Sequence, residues 1–365
     1  MKTSIKIGLS LGMLLLLATA AAGQAVNSDS WAATDALGRK VREYKDAGDK
    51  KKDKFVGIFY LTWHMGRNDT TSQVKNITEI VRQHPEAMKD YNHPAWGTSK
   101  PGIFFWDEPL FGYYKTTDPW VLRKHAEMLA DAGIDVVFCD CTNGTLTYSD
   151  SYEALMKTWD QAQKDGVKVP KIAFLLPFGA VPNSLVSLRQ LYNDVYKPGR
   201  YENLWFRWKG KPLIFCPPEG ITPDMAGFFT VRHSWFCSAW DWFGDGHDKC
   251  PWADIYPQKY GWHDRPDKPE MIAVSPATHP IVTNDMKQVG RSYHDGAQPD
   301  KEHWRSGEGL CFREQFERAM EVDPEFIYFS GWNEWTAMRF VNPGGIHKVG
   351  EYDCKKGDSY FVDLF

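Results

Sequence analysis

The sequence lacks the motifs of several large enzyme classes. No Gly-x-Gly-x-x-Gly follows a predicted strand, so a dinucleotide site is not indicated. No Gly-x-Ser-x-Gly supports serine-based hydrolysis. The cysteines and histidines have no Cys-x-x-Cys or His-x-x-x-His spacing, and residues 245–248 lack the full spacing of a calcium loop. We therefore predict neither a metal site nor a cofactor.

An excess of positive charge is absent as well. The 43 lysines and arginines are balanced by 47 acidic residues, a net charge of −4, so no nucleic-acid-binding surface is predicted. Beyond the first residues, no run approaches the roughly 20 apolar residues that cross a bilayer. The seven cysteines are an odd number, so at least one stays unpaired. Cys237 and Cys250 are the predicted disulfide.

The first residues have the three parts of a secretory signal peptide. A basic start is followed by the apolar run Ile7–Leu17 and by the small residues Ala18–Gly23. The apolar run is too short for a membrane span, and no cysteine near the cleavage site suggests a lipid anchor. We expect residues 1–23 to be removed, residues 24–54 to form a leader, and the protein to be secreted or periplasmic.

Residues 55–365 are expected to form one domain, in which buried strands alternate with amphipathic helices. The alternation predicts βαβ units and a (β/α)8 TIM-like barrel with long βα loops; a doubly wound open sheet is the alternative. No amphipathic helix is predicted after the last strand, in residues 336–365. Strands are predicted over residues 55–61, 134–139, 171–176, 211–216, 228–233, 270–274 and 325–330. Helices are predicted over residues 73–83, 120–132 and 151–164, from an Asn183 cap to 195, and over 312–321.

Polar residues follow several predicted strands, where a barrel has its active site. The clearest is Glu334 in the segment Gly331–Trp335, where Trp332, Asn333 and Trp335 surround it. We expect these three residues, and Trp63 after the first strand, to bind the substrate, because tryptophan offers a face for a sugar ring and asparagine offers directional hydrogen bonds. Burial raises the pKa of a glutamate, which suits a general acid. The alternative is a structural ion pair with an arginine such as Arg291 or Arg339.

Glycoside hydrolysis generally needs a second carboxylate. Asp140 is the first candidate because it ends the clearest predicted strand, although an aspartate there could also cap a loop. Glu219 and Asp241 are lesser candidates. His64, which follows the first strand beside Trp63, is a candidate to bind a sugar hydroxyl.

Aromatic residues are abundant: 16 Trp, 16 Tyr and 21 Phe make up 15% of the chain. Tryptophan is large and carries an N–H that needs a partner, so this number favours an aromatic cleft for sugar rings over a purely tryptophan-rich core. Residues 235–262 are predicted to form a sugar platform, or alternatively an insertion whose aromatic rings pack on each other. The candidate sugar-binding residues of this stretch are Trp240, Asp241, Trp242 and Tyr260.

The Trp-Asn-Glu-Trp motif resembles the signature of the glycoside hydrolase family 99 endo-α-mannosidases and related WbsX-like proteins. The segments Val56–Tyr60, Trp120–Cys139 and Gly290–Arg291 are similar to that group as well. The resemblance implies an exported (β/α)8 glycosidase and adds Arg291 to the expected substrate-binding residues. The family's second glutamate, three residues after the first, is replaced here by Ala337. The mechanism of family 99 therefore does not carry over, and the family 71 glucanases, distant barrel relatives, are one model for a different second carboxylate.

The sequence thus predicts a monomeric, exported glycoside hydrolase that acts on an oligosaccharide or polysaccharide, with Glu334 and Asp140 as its carboxylates. A carbohydrate-binding protein that kept the barrel without catalysis is one alternative, which the alanine at position 337 favours. A polysaccharide lyase is the other.

Overall fold

The computed structural model describes most of the predicted domain and part of the leader. The described residues are 33–64, 77–97, 103–105, 108–179, 181–239, 243–277, 290–297, 299, 305–344, 348–349 and 352–360. The predicted signal peptide and the candidate residues Trp240, Asp241 and Trp242 lie outside them.

Nine strands form the wall of the barrel. They are β1 (Phe55–Tyr60), β2 (Val136–Asp140), β3 (Lys171–Leu175), β4 (Lys211–Phe215), β5 (Thr230–Trp235), β6 (Lys249–Pro251), β7 (Tyr260–Trp262), β8 (Pro269–Val274) and β9 (Phe326–Phe329). They lie in the order β6-β5-β4-β3-β2-β1-β9-β8-β7 in one ten-stranded sheet, whose tenth strand, Arg207–Trp208, pairs antiparallel with β4. Of the nine, eight are parallel, and only β7 runs antiparallel to its neighbour β8.

The sheet closes where β7 meets the residues just before β6. Trp262 N donates to Gly246 O at 3.0 Å, and Asp248 N donates to Trp262 O at 2.7 Å. The approach is so close that a Cβ at Gly261 would lie 1.4 Å from Lys249 O, so only glycine fits there. The closed ring confirms the predicted barrel against the open sheet, and it adds an antiparallel strand that the sequence did not predict.

Helices cover the outside of the barrel between successive strands. They are α1 (Pro119–Asp131), α2 (Ser149–Lys164), α3 (Val181–Leu191), α4 (Pro223–Phe228) and α5 (Leu310–Val322). Asp118 caps α1, because its Oδ1 accepts from Trp120 N and Val121 N. The predicted Asn183 cap is wrong, since α3 already begins at Val181. Trp159 of α2 is fully buried and donates to Leu122 O of α1 at 2.8 Å, which fixes these two helices together.

Short elements complete the described chain. As predicted, no helix follows β9 among the described residues up to 360; instead, Thr336–Met338 pairs with Ile103–Phe105, Phe340–Val341 with Ser359–Tyr360, and Lys348–Val349 with Tyr352–Asp353. The described part of the helix predicted over 73–83 is Ile77–Gln83. Further elements are the helix Tyr44–Ala47, the short strand Arg207–Trp208, the 3-10 turns Pro85–Lys89, Pro94–Trp96, Glu202–Leu204 and Ser306–Glu308, and the π-helical turn Tyr192–Tyr196.

Aromatic rings fill the barrel interior. Phe138 stacks on Phe215 with 4.3 Å between ring centroids, and it meets Phe326 and Tyr328 edge-on at 5.9 and 5.3 Å. A Cβ at Gly57 of β1 would lie 2.6 Å from Phe138 and 2.7 Å from Phe326. The glycine therefore makes room for the two phenylalanines at the centre of the barrel.

The predicted disulfide is wrong. None of the seven cysteines, all of which lie in described residues, forms a disulfide. Cys250 packs inside the barrel, whereas Cys237 packs in a separate small cluster with Ala253 and Ile255. No helix in the described ranges is long and apolar enough to cross a membrane.

Candidate functional site

Asp140 lies at the carboxyl end of β2, at the end of the barrel where the parallel strands finish. It is only 2% exposed. Its Oδ2 accepts from Trp63 Nε1 at 2.5 Å, and its Oδ1 accepts from Thr142 N at 2.9 Å. Burial raises the pKa of Asp140 even though both hydrogen bonds oppose the rise. In the described part of the chain, no Lys, Arg or His forms an ion pair with this carboxylate.

Glu334 follows β9 at the same end of the barrel, and its side chain is half-buried. A hydrogen bond from Trp332 N to Phe59 O, 3.1 Å long, fixes this loop against β1. Strands β2 and β9 flank β1 on its two sides. Since neighbouring strands are about 4.8 Å apart, the strands that carry Asp140 and Glu334 are roughly 10 Å apart.

Tyr328, an inward-facing residue of β9, is influenced by the charges of both carboxylates. Burial is the main cause that raises the pKa of Tyr328, and the charges of Cys250, Asp140 and Glu334 add to the rise. Its hydroxyl is buried without a hydrogen-bond partner among the described residues. The charges of Asp140 and Glu334 therefore both act on one buried tyrosine hydroxyl.

Asn333 is fixed by the backbone of the chain just after β1. Its Oδ1 accepts from Leu61 N at 2.8 Å, and its Nδ2 donates to Leu61 O at 3.1 Å. His64 contacts the same loop, with Nε2 2.7 Å from Asn333 O and Nδ1 3.2 Å from Thr116 Oγ1. These bonds hold Glu334, the next residue, at a defined position beside β1.

His64 and Asn333, both predicted to bind sugar, make their hydrogen bonds within the protein. Both side chains are buried, and protein atoms already occupy their hydrogen-bonding groups. Burial lowers the pKa of His64 to about 4, although its bond to Asn333 O opposes this, so the ring is neutral near pH 7. Their role in the structure is to position the loop that carries Glu334.

Partly buried aromatic rings stand around the barrel mouth on two sides. Trp63, predicted as a sugar-binding residue, stacks on Tyr148 with 6.3 Å between centroids and 23° between planes. Across the mouth, Phe236 stacks on Trp252 at 5.4 Å and meets Phe178 edge-on at 5.9 Å. Trp63, Phe178 and Trp252 all pack on the interior core from above.

Other predicted residues lie in varied places. Trp332 is partly buried, packs on the outer core and meets His125 of α1 edge-on at 5.6 Å. Trp335 is half-buried, and its backbone N donates to Asn333 O at 2.8 Å. Arg291 lies beside the start of α5, where its O accepts from Cys311 N at 3.1 Å.

Two further candidates lie away from the two carboxylates. The hydroxyl of Tyr260 donates to Pro266 O in the loop before β8, at the end where the parallel strands begin. Glu219 is exposed after β4. Arg339, the alternative partner for Glu334, is buried, with its guanidinium 3.9 Å from the ring centre of Tyr91.

Sequence reasoning missed several residues of this site. Tyr148, Phe178 and Phe236 are single aromatic residues in loops, with no sequence pattern to distinguish them. The position of Tyr328 carried a usable signal, because alternation along Phe326–Phe329 places Phe326 and Tyr328 on one face. This signal predicts a polar hydroxyl inside the barrel.

Comparisons with known proteins give distant similarities. No family model matches the sequence, and no curated protein matches it. The chain is similar to a glycoside hydrolase family 99 endo-α-mannosidase from Bacteroides thetaiotaomicron solved with BIS-TRIS-propane: 15% identity, 86% of this chain and 92% of that chain covered, and a TM-score of 0.45. A second structure of such an enzyme from the same organism has 16% identity, coverage of 78% and 86%, and a TM-score of 0.44. Both belong to the family whose motif the segment Gly331–Trp335 resembles.

Proposed function

We propose that this protein is an exported glycoside hydrolase that cleaves an oligosaccharide or polysaccharide with a pair of carboxylates. The observation that carries the proposal is the arrangement of Asp140 and Glu334 on either side of β1, both acting on Tyr328 at the carboxyl end of the barrel. This is the end of a (β/α)8 barrel at which active sites lie. Two carboxylates on one cleft are the minimum that glycoside hydrolysis generally needs.

The two carboxylates differ in access, and this difference assigns their roles. Glu334 is half-buried and can reach a sugar, so we assign it as the acid/base group. Asp140 is buried beneath Trp63, and we assign it as the second carboxylate. Burial raises the pKa of Asp140, as at many active sites where a carboxyl group must exchange a proton near neutral pH.

The aromatic rings of the mouth fit a carbohydrate substrate. The stacked pair of Trp63 and Tyr148 stands on one side, and Phe236 with Trp252 on the other. Each group offers flat apolar surface next to carboxylates, which suits a ligand with apolar faces and hydroxyl edges. The cleft thus favours a sugar chain over a small charged metabolite.

Export is the part of the proposal that depends on the sequence alone. The apolar run Ile7–Leu17 and the small residues Ala18–Gly23 support a cleavable signal peptide. A polysaccharide-degrading enzyme belongs where polymeric sugars are found, so export and the proposed activity agree. N-terminal mass analysis of the expressed protein should give a chain that begins near residue 23 or 24.

The experiment that tests the activity is a screen against a panel of polysaccharides. The release of reducing ends is measured for the wild type and for Glu334→Gln, while absorbance in the ultraviolet detects the unsaturated products of a lyase. We expect hydrolysis of at least one polysaccharide by the wild type and its loss in the variant. Binding without release, unchanged by the substitution, would support the non-catalytic alternative that Ala337 favours. Unsaturated products would support a lyase, and either result would overturn the proposal.

A further inference from the structure

The opposite end of the barrel carries a cluster of His247, Asp248 and His263, which we call the seam site. His247 and Asp248 directly precede β6, and His263 directly follows β7. These two segments are the ones whose hydrogen bonds close the barrel, so the three side chains come from both sides of the closure. The ligand atoms of the three residues all lie within 4.8 Å of one another.

We propose that the seam site binds one Zn²⁺ ion, which joins the two edges of the barrel and stabilises its closure. Two imidazoles and one carboxylate are a donor set that zinc takes in proteins, with a water as the fourth ligand. Two donors on a tetrahedral zinc lie about 3.3 Å apart, given bond lengths of roughly 2.0–2.2 Å. His247 Nδ1 is 3.5 Å from Asp248 Oδ2, which is near this spacing.

The third ligand needs one local change. His263 Nδ1 lies 2.5 Å from Asp248 Oδ1, which is a hydrogen-bond distance. Zinc on Nδ1 of His263 would take the place of the proton between these two atoms, and the neutral imidazole would then carry its proton on Nε2. The imidazoles of His247 and His263 are already nearly parallel, with 19° between planes, and both side chains are more than two-fifths exposed, so an ion can enter from solvent.

Two cations border the seam site, and one of them, Arg232, pairs with Asp248. Arg232 Nε lies 3.6 Å from Asp248 Oδ1, but its guanidinium donates to both oxygens of Glu270, at 2.5 and 2.8 Å. Lys249 Nζ is 3.4 Å from the backbone O of His247. The positive charges around Asp248 thus have other acceptors, and its second oxygen remains available to a metal.

A second cluster of the same residue types provides a control within the chain. Among the described residues, His84, Glu86 and His93 also bring their ligand atoms within 4.8 Å of one another. However, Ala95 N donates to His93 Nδ1 at 3.3 Å, so the proton of a neutral His93 is on Nε2, the atom that faces Glu86. Metal on Nε2 would force a proton onto Nδ1 against the Ala95 N–H. We therefore expect this cluster to bind zinc poorly.

The test is a calorimetric titration of the full chain with ZnCl₂, after treatment with EDTA and removal of the chelator. We expect one equivalent to bind to the wild type and to His84→Gln/His93→Gln, but none to His247→Gln/His263→Gln. Zinc at a hundredfold excess over its Kd should raise the melting temperature of the wild type by roughly 3–5 °C, and EDTA should reverse the rise.

The metal-free proteins separate a lost site from a lost fold. The seam-site variant should have the circular dichroism and cooperative melting of the wild type without zinc, and should fail only to respond to zinc. The proposal is overturned if the wild type binds no zinc, if the seam-site variant binds it equally, or if only the His84 and His93 variant loses it. Activity is not the readout, so this result does not depend on the proposed hydrolase.

Discussion

The two ends of the barrel each hold buried carboxylates, but these carboxylates have different partners. At the end where the strands begin, Glu270 is 4% exposed and receives both guanidinium bonds of Arg232 and an ion pair from Lys209 Nζ at 3.0 Å. At the other end, Asp140 is equally buried, yet its hydrogen bonds come from the indole N–H of Trp63 and the amide of Thr142. The same burial is thus compensated by cations at one end only.

The difference in partners suggests a structural role for Glu270 and a chemical role for Asp140. A buried carboxylate paired with cations is structurally important because removing one partner leaves the other charge uncompensated. A buried carboxylate with neutral partners keeps a raised pKa, which is a property that a proton-transfer group requires. Substitutions at the two ends should therefore affect different measurements.

The largest effect is expected from Asp140→Asn. Loss of the second carboxylate should lower the rate of hydrolysis by about 10²–10⁴-fold, the usual contribution of such a group. The free energy of unfolding at pH 7 should change little, because removing the cost of burying the charged form offsets the loss of one of the two hydrogen bonds that the carboxylate accepts.

The pH dependence of stability checks the sign of this effect. A raised native pKa means that stability due to the protonated Asp140 is lost as pH rises from the ordinary value of about 3.9 through the native pKa. Denaturant unfolding across this range should show the loss in the wild type and not in Asp140→Asn. A variant that is much less stable than the wild type at pH 7 would contradict the assignment.

Glu270→Gln should have the opposite profile. Removing one partner of this buried network should cost about 3–5 kcal/mol of unfolding free energy, because Arg232 is left without its main counter-charge. Denaturant unfolding measures the cost. The control is Glu202→Gln, which breaks the exposed pair with Arg207 and should cost less than about 1 kcal/mol. If Glu270→Gln and Glu202→Gln cost the same unfolding free energy, Glu270 would not have the structural role that distinguishes it from Asp140.

His64→Gln should reduce the acid sensitivity of the protein. The pKa of His64 is about 4 in the native state, against an ordinary value of 6.5, so its contribution is present above pH 6.5 and is lost as pH falls toward 4. The shift corresponds to about 3 kcal/mol. The unfolding free energy of the variant should fall less than that of the wild type over this range. Burial also lowers the pKa of His125, to about 3. The unfolding free energy of both proteins should therefore still depend partly on pH. Parallel curves would contradict the burial of a neutral His64.

The smallest effect is expected from Gly57→Ala, in the barrel between its two ends. The new methyl group would meet Phe138 and Phe326 and should cost about 1–3 kcal/mol in unfolding free energy. Gly227→Ala is the matched control, since Gly227 lies in helix α4 with open space around its Cβ position. That substitution should stabilise by about 0.5–1 kcal/mol. If both substitutions had the same sign, the tight packing of the interior would be in doubt.

The parts of the fold that the sequence predicted are those with long, regular patterns. The buried runs at Phe55–Tyr60, Val136–Asp140 and Lys171–Leu175 form strands close to the predicted bounds. Strand β7 was missed because Tyr260–Trp262 is only three residues long and has no alternation that a sequence can reveal. The same short strand carries the hydroxyl of Tyr260 toward Pro266, a direction that the sequence pattern does not predict.

Only those site residues were predictable that are acidic and follow or end a predicted strand. Asp140 and Glu334 follow strands, and the structure places both near Tyr328. The positioning role of Asn333 and His64 depends on hydrogen bonds across the gap between β1 and the Glu334 loop, more than 260 residues apart in sequence. Such long-range pairings leave no local pattern. The disulfide prediction likewise used sequence proximity, whereas Cys250 faces the barrel interior.

The most direct test of the central claim compares Glu334→Gln with Glu270→Gln on the same polysaccharide, with initial rates of reducing-end release expressed per folded molecule. We expect Glu334→Gln to keep the stability of the wild type and to lose at least about 100-fold in the rate of hydrolysis. We expect Glu270→Gln to lose stability and to keep the wild-type rate. A Glu334→Gln protein that hydrolyses at the wild-type rate would contradict the assignment of Glu334 as the acid/base group.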